Sequence, residues 1–363
     1  MTKNFEGIKT QRFGVEIKCT GLTRSAAAKA ISKVLNGEVE HEGGSYDKYT
    51  VKDEKGRKWS VVYDGSIRCE NKSGSSASKL YSVEMVTPVL EYEDIPLLQA
   101  TVRSLRRNGG RCNSSVGIHI HINGEPFDAR TLRNFVNIIA SKEDMIYNAL
   151  QVGSGRQSYC KKINKDFLES LNRKKPKTLD EFKSIWYKGY DGSRTKYHQS
   201  RYCMLNLHSF FNKGTIELRA FNGSLNAGVL RAYLSLALAV SNQALTQKSA
   251  SPKLTESTNE KYTFRCWLIR IGLNGQEFTN CRKHLLSHLE GNIAWKNPEQ
   301  AIAHRERLKQ ERIAARQQRA EPVSAVSEES EITPDETSEP SERECEFFEE
   351  YEKDEEVGME MSM

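Results

Sequence analysis

The segment GIHIHIN, residues 117–123, alternates strictly between apolar and polar side chains. A period of two marks a strand whose two faces meet different surroundings. Val116, Ile118, Ile120 and Ile122 fall on one face, and His119 and His121 on the other. The pattern recurs along the chain. Phe13–Ile17 sets Glu16 against Val15 and Ile17, Tyr81–Val86 sets Glu84 against Val83, and Thr215–Phe221 sets Glu217 and Arg219 against Ile216 and Leu218. Lys58–Tyr63, turning at Asp64-Gly65, and Met204–Leu207 also read as strands. Strands of a parallel sheet covered on both faces read as near-continuous apolar runs; half-polar strands call for an antiparallel sheet with one face packed and the other wet or lining a site. Helical spacing over Thr23–Leu35, Pro96–Arg107, Asp128–Leu150, Leu179–Trp186 and Ala227–Leu245 supplies the cover for the packed face. The expected fold class is α+β, a mostly antiparallel sheet with helices packed on one face.

Charge divides the chain unevenly. Residues 321–363 hold 17 Asp and Glu against 2 Lys and Arg, whereas residues 1–320 hold 52 Lys and Arg against 31 Asp and Glu. The formal charge of +6 therefore conceals a strongly basic body and a strongly acidic tail. A basic body suits anionic partners: nucleotide, phosphate, carboxylate or nucleic acid. The Ser/Glu/Pro-rich tail is too polar to build a core, so disorder is expected there. The expected organisation is an N-terminal arm over 1–11, a catalytic body over 12–245, a small helical appendage over 246–297, a basic helix over 298–320 and the tail over 321–363. The eight cysteines form no C-x-x-C pair, which predicts reduced thiols rather than a disulfide framework or cysteine zinc site. No apolar run nears the ~20 residues of a membrane span; the best, Val229–Val240, contains Arg231. The first residues carry no apolar leader, and a cytoplasmic location is expected.

If the half-polar strands pair in one sheet, Glu16, Glu84, Glu217, His119, His121 and Arg219 share a concave polar surface. Each has a plainer reading alone: a single strand carboxylate is commonly solvent-facing, and a His-x-His pair is commonly structural. Together they pose an electrostatic problem. Three ionised carboxylates at close quarters raise one another's pKa unless a cation offsets them. Oxygen ligands favour Mg2+ or Mn2+, and the histidines admit zinc. Arg219 suits a phosphate. These residues leave the reaction class open between a ligase, a metal-dependent hydrolase or nuclease, and a non-catalytic anion-binding protein.

FGVEIK, the Asp64-Gly65-Ser66 turn, VEMVTPVL, GIHIHIN, RYCMLNLHSF and GTIELRAFNGSL occur in this order across about Arg12–Leu245. Together they resemble the amidoligase family of carboxylate–amine ligases, related to glutamine synthetase and glutamate–cysteine ligase. The resemblance implies a fold of that kind and an ATP-dependent ligase that forms an amide or isopeptide bond through an acyl phosphate. It implies Mg2+, with Mn2+ as alternative, held by Glu16, Glu84 and Glu217. His119 or His121 would sit beside metal and phosphates, and Arg219 would steady the transferring phosphoryl group. Asp64 and Ser66 would lie at the substrate end, with His119, His121 and Asp64 as candidate bases. Asn206 would contact nucleotide or substrate. Arg156, Tyr159 and Lys161 would form a basic loop, Arg156 and Lys161 toward the nucleotide, Arg156 and Tyr159 toward the substrate. The implied partners are an acid and an amine (amino acid, peptide or protein side chain), with neither membrane nor nucleic acid, and related ligases often assemble into oligomers. The family often reads FGxExE; here Lys18 stands at the second acidic position, which removes a possible metal ligand.

Overall fold

The structure, a computed structural model, describes residues 6–320. It divides into a unit over residues 1–306 and a second over 307–363, of which the described part is the remainder of helix α10 (Pro298–Ala320). The expected acidic tail, 321–363, lies outside the described residues, as do residues 1–5 of the arm.

Eight strands form one sheet: β1 (Phe13–Cys19), β2 (Val39–Gly43), β3 (Lys48–Lys52), β4 (Lys58–Val62), β5 (Val83–Val86), β6 (Gly117–Asn123), β7 (Leu205–Asn206) and β8 (Thr215–Asn222). Their order across the sheet is β2-β3-β4-β5-β1-β6-β8-β7, and every pairing is antiparallel. The half-polar alternation explains this. Phe13, Val15, Ile17, Met85, Ile118, Ile120, Ile122, Ile216 and Leu218 all point to one side and are buried. Each such side chain contributes about 1.5–3 kcal/mol when taken out of water. The cover is α1 (Arg24–Leu35), α2 (Ile95–Arg107), α3 (Ala129–Leu150) and α7 (Ala227–Thr246). Two of these helices start on reliable caps: Thr23 Oγ1 accepts from the Ala26 N–H, and an Asp128 carboxylate oxygen accepts from the Thr131 N–H. The α+β class expected from the alternation is the observed one.

Three features depart from the sequence reading. The polar arm is tied down: Ile8 is buried, and Gln11 Nε2 donates to the Leu238 carbonyl at 2.9 Å. Residues 246–297 do not stand apart, because α8 (Glu260–Arg270) and α9 (Thr279–Leu286) place Phe264, Leu268, Cys281 and Leu285 in the same hydrophobic core. Finally, the β2–β3 hairpin, α4 (Lys165–Lys174) and α6 (His208–Lys213) had no clear periodic signal. Among the described residues no helix is long and apolar enough to cross a membrane, and the seven described cysteines are all free thiols.

Candidate active site

The face of the sheet away from the helices collects the polar residues, and strand register sets their neighbours. Glu16 on β1 stands opposite His119 on β6, His121 opposite Glu217 on β8, and Glu217 opposite Asn206 on β7. On the other side of β1, Lys18 stands opposite Glu84 on β5. Five adjacent strands thus lay one chemical group after another across the sheet.

At the β1–β6–β8 end the groups converge. His119 Nδ1 lies 2.9 Å from Glu16 Oε2 and 3.4 Å from Glu217 Oε1. Nδ1 is thus the ring nitrogen that faces both carboxylates. Arg219 Nη1 donates to Glu217 Oε1 at 2.7 Å, and Asn206 Nδ2 donates to Glu217 Oε2 at 2.6 Å. His121 Nδ1 contacts Thr215 Oγ1 at 3.0 Å, and Thr215 Oγ1 contacts Ser209 Oγ. Its Nε2 lies 3.2 Å from Glu16 Oε1 but outside hydrogen-bond geometry, and it is buried without a hydrogen-bond partner. Arg219 Nε is also buried and unpartnered.

Charge at this end follows from burial and contact. Burial alone would raise the Glu16 carboxyl, but the contacts with His119 and His121 hold it well below its ordinary value. Burial works the same way on Glu217 and is outweighed by the charge of Arg219, then by the two imidazoles. His119 is pushed down to about 4 by burial and by Arg219, so it is neutral at pH 7. His121 is raised, because Glu16 and Glu217 overcome its burial.

Ligand atoms of Glu16, His119 and Glu217 all lie within 4.8 Å of one another. Two carboxylates and an imidazole form a donor set suited to a divalent cation. The residues therefore fit a metal, and the two unpartnered buried atoms beside them fit further ligands.

The sequence expected Glu16, Glu84 and Glu217 as the ligand set. The structure gathers Glu16 and Glu217 with His119 and leaves Glu84 outside that trio. Glu84 Oε1 instead lies 3.7 Å from Lys18 Nζ. Burial and then the charge of Glu16 push Glu84 up to about 8, against the opposing pull of Lys18. Asp64 and Ser66 sit with Lys18 too: Lys18 Nζ donates to Asp64 Oδ2 at 2.6 Å and to Ser66 Oγ at 3.2 Å. Burial would raise Asp64, but the charge and hydrogen bond of Lys18 keep it below its ordinary value.

The loop residues were expected on nucleotide or substrate, and the structure gives them other neighbours. Arg156 is buried, and its guanidinium donates to the backbone carbonyls of Arg219 and Phe221. Those carbonyls flank a bulge. β8 spends three residues from Leu218 to Phe221 where β6 spends two from Ile120 to Ile118. The extra residue returns Phe221 to the helix side, where it stacks on Tyr233 of α7 with ring centroids 4.7 Å apart. Gly117 leaves room for Arg156; a Cβ there would lie 2.4 Å from Nη2. Tyr159 is exposed and meets the Tyr202 ring edge-on. Lys161 lines a cleft of about 700 Å³ with Ile163, Phe167, Trp186 and Cys203. Asn206 is buried and committed to Glu217 rather than open to a ligand. Sequence reasoning missed Thr215 and Ser209; the signal for Thr215 is its place two residues before Glu217 on the polar face.

No curated protein matches the chain. A family model described as "putative amidoligase enzyme" matches residues 9–241, the stretch that holds all eight strands and every polar residue named above. The chain belongs to the amidoligase family, and its family name marks a ligase-type enzyme.

Proposed function

We propose that the chain is an ATP-dependent carboxylate–amine ligase that forms an amide or isopeptide bond, on a fold like that of glutamine synthetase and glutamate–cysteine ligase. The observation that carries this reading is the trio Glu16–His119–Glu217 with the buried Arg219 locked beside it. Phosphoryl transfer is served by a cation and a fixed guanidinium aimed at one place, since its catalysis is mostly positioning and charge stabilisation. In the first step a substrate carboxylate oxygen attacks the γ-phosphorus of ATP, giving an acyl phosphate and ADP. In the second, an amine attacks the acyl carbon, the C–O bond to phosphate breaks, and amide, inorganic phosphate and one proton are released.

Glu16, His119 and Glu217 would hold Mg2+ or Mn2+, which when bound offsets the charge of the phosphoryl oxygens. Arg219 is oriented by its bond to Glu217 and keeps Nε for an anion. Asn206 holds the second oxygen of Glu217, fixing the carboxylate plane. Among the candidate bases, Asp64 is engaged by Lys18 and Ser66, and His119 by Glu16. His121, whose Nε2 makes no hydrogen bond and lies 3.2 Å from Glu16 Oε1, is the candidate left to take the proton lost by the amine.

A mixed Glu/His donor set also suits a metal-dependent hydrolase, and one experiment separates the two. The protein is incubated with Mg2+, ATP and mixtures of amino acids and short peptides, and ADP release and product mass are followed. The ligase reading expects ADP release that depends on both an acid and an amine, with a product lighter than their sum by one water. Metal-dependent cleavage without ATP would replace it with the hydrolase reading.

A further inference from the structure

Lys18 occupies an unusual place. It lies on the polar face two residues from Glu16, its side chain is 11% exposed, and three oxygens from two chain segments surround its Nζ. These are Asp64 Oδ2 at 2.6 Å, Ser66 Oγ at 3.2 Å and Glu84 Oε1 at 3.7 Å. An all-oxygen set with two carboxylates is what a hard divalent cation takes. Here an ammonium sits within it.

We infer that the Lys18 ammonium is a built-in cation standing where the Asp64–Glu84 end of the face would otherwise take a divalent ion, so that the face takes a single ion, at Glu16, His119 and Glu217. This inference rests on the metal-assisted reading proposed above.

The geometry supports the single ion. Asp64 and Glu84 meet the same ammonium, whereas Glu16 and Glu217 face each other across an imidazole and no lysine. The ammonium also spans chain segments far apart in sequence: it ties the Asp64-Gly65-Ser66 turn to the sheet through β1 and leans on β5. A lysine does this without a metal's exchange with solvent, so the turn stays docked whether or not the other end is loaded.

The test is a Mn2+ count by titration, with free ion read by electron paramagnetic resonance on the full chain. The natural protein is expected to take one Mn2+ per chain, and Glu217→Gln to lose it. Lys18→Glu is expected to take two, and Lys18→Glu combined with Glu84→Gln to return to one. Should Lys18→Glu fail to fold, Lys18→Gln serves: it removes the ammonium, leaves both carboxylates, and is expected to gain a second, weaker ion. A count of two in the natural protein overturns the inference while leaving the ligase reading intact. So does a Lys18 variant that is folded yet still takes one. A count of zero in the natural protein, or one indifferent to Glu217→Gln, overturns the metal-assisted reading itself and this inference with it.

Discussion

The two ends of the polar face solve one problem in two ways. At the β5–β1 edge, Lys18 already sits among Asp64, Ser66 and Glu84. At the β1–β6–β8 edge, Glu16 and Glu217 have a neutral histidine between them, an arginine to one side, and two buried polar atoms without partners. Buried carboxylates without a counter-charge are expensive. The first end meets that cost with a side chain and is self-sufficient. The second gathers two carboxylates, an imidazole and an arginine at one point, an arrangement suited to binding an ion. Self-sufficiency reads as positioning, incompleteness as chemistry.

The sharpest way to break the contrast is Glu217→Gln. The amide keeps the shape and can still accept from Arg219 through its one oxygen, but it loses the acceptor for Asn206 and removes a charged ligand. Turnover is expected to fall by about three orders of magnitude or more, with the circular-dichroism melt nearly unchanged. An active variant would take Glu217 out of the centre.

Ion removal is the next largest effect, and it should act on one end alone. With Mn2+ at about 100 times its Kd, linkage adds roughly 2.7 kcal/mol of stability, a rise in Tm on the order of 5 °C. The shift is expected to vanish in Glu16→Gln and to disappear with chelator, which should also stop ADP release while leaving the fold intact. A shift that survives Glu16→Gln places the ion elsewhere.

How much of this was legible beforehand depends on what each feature rests on. The apolar/polar alternation of residues 117–123 and 215–219 reports on burial, a local property, and it located the sheet, its packed face and four of the polar side chains directly. Lys18 was visible as a departure from FGxExE, but its partners Asp64 and Glu84 lie 46 and 66 positions away, and only register brings them together. The bulge at Arg219–Ala220 was invisible, since strict alternation would send Phe221 to the polar face. Arg156 followed from that miss. Its guanidinium serves the carbonyls of Arg219 and Phe221, which flank the bulge, and no charge pattern encodes that. The β2–β3 hairpin escaped because its residues, VEHEG and KYTVK, are mostly polar, and only Thr50 and Val51 among them are buried.

A smaller effect sharpens the distinction between holding a catalytic group and being one. Asn206→Ala leaves Glu217 Oε2 without its donor while keeping every charge on the face. Loss of such an orienting bond is expected to lower kcat about 10–100-fold, with KM for ATP little changed. Asn206→Asp, which adds a like charge beside Glu217, is expected to do worse and to weaken Mn2+ binding. Equal loss in kcat and KM would point instead to direct contact with substrate.

The smallest expected effect comes from a buried carboxylate that has neither solution. Glu143, on α3, is 8% exposed and accepts the Ile163 N–H at 2.7 Å. Burial raises it from its ordinary 4.5 to about 7, and neither that hydrogen bond nor the charge of Lys162 brings it back. A folded-state value above the unfolded one means the native protein holds the proton more tightly. The stability due to Glu143 is therefore fully present below about pH 4.5, is lost as pH rises toward 7, and changes little above that. Glu143→Gln keeps an acceptor for Ile163 and abolishes the titration. It is expected to match the natural protein at pH 4.5 and to exceed its stability at pH 8 by on the order of 1 kcal/mol, read from urea midpoints at the two pH values. Lys18→Met should do the reverse at pH 8, because it strips Asp64 and Glu84 of their cation. If both variants respond alike, the ammonium at the β5–β1 edge does nothing that plain burial does not.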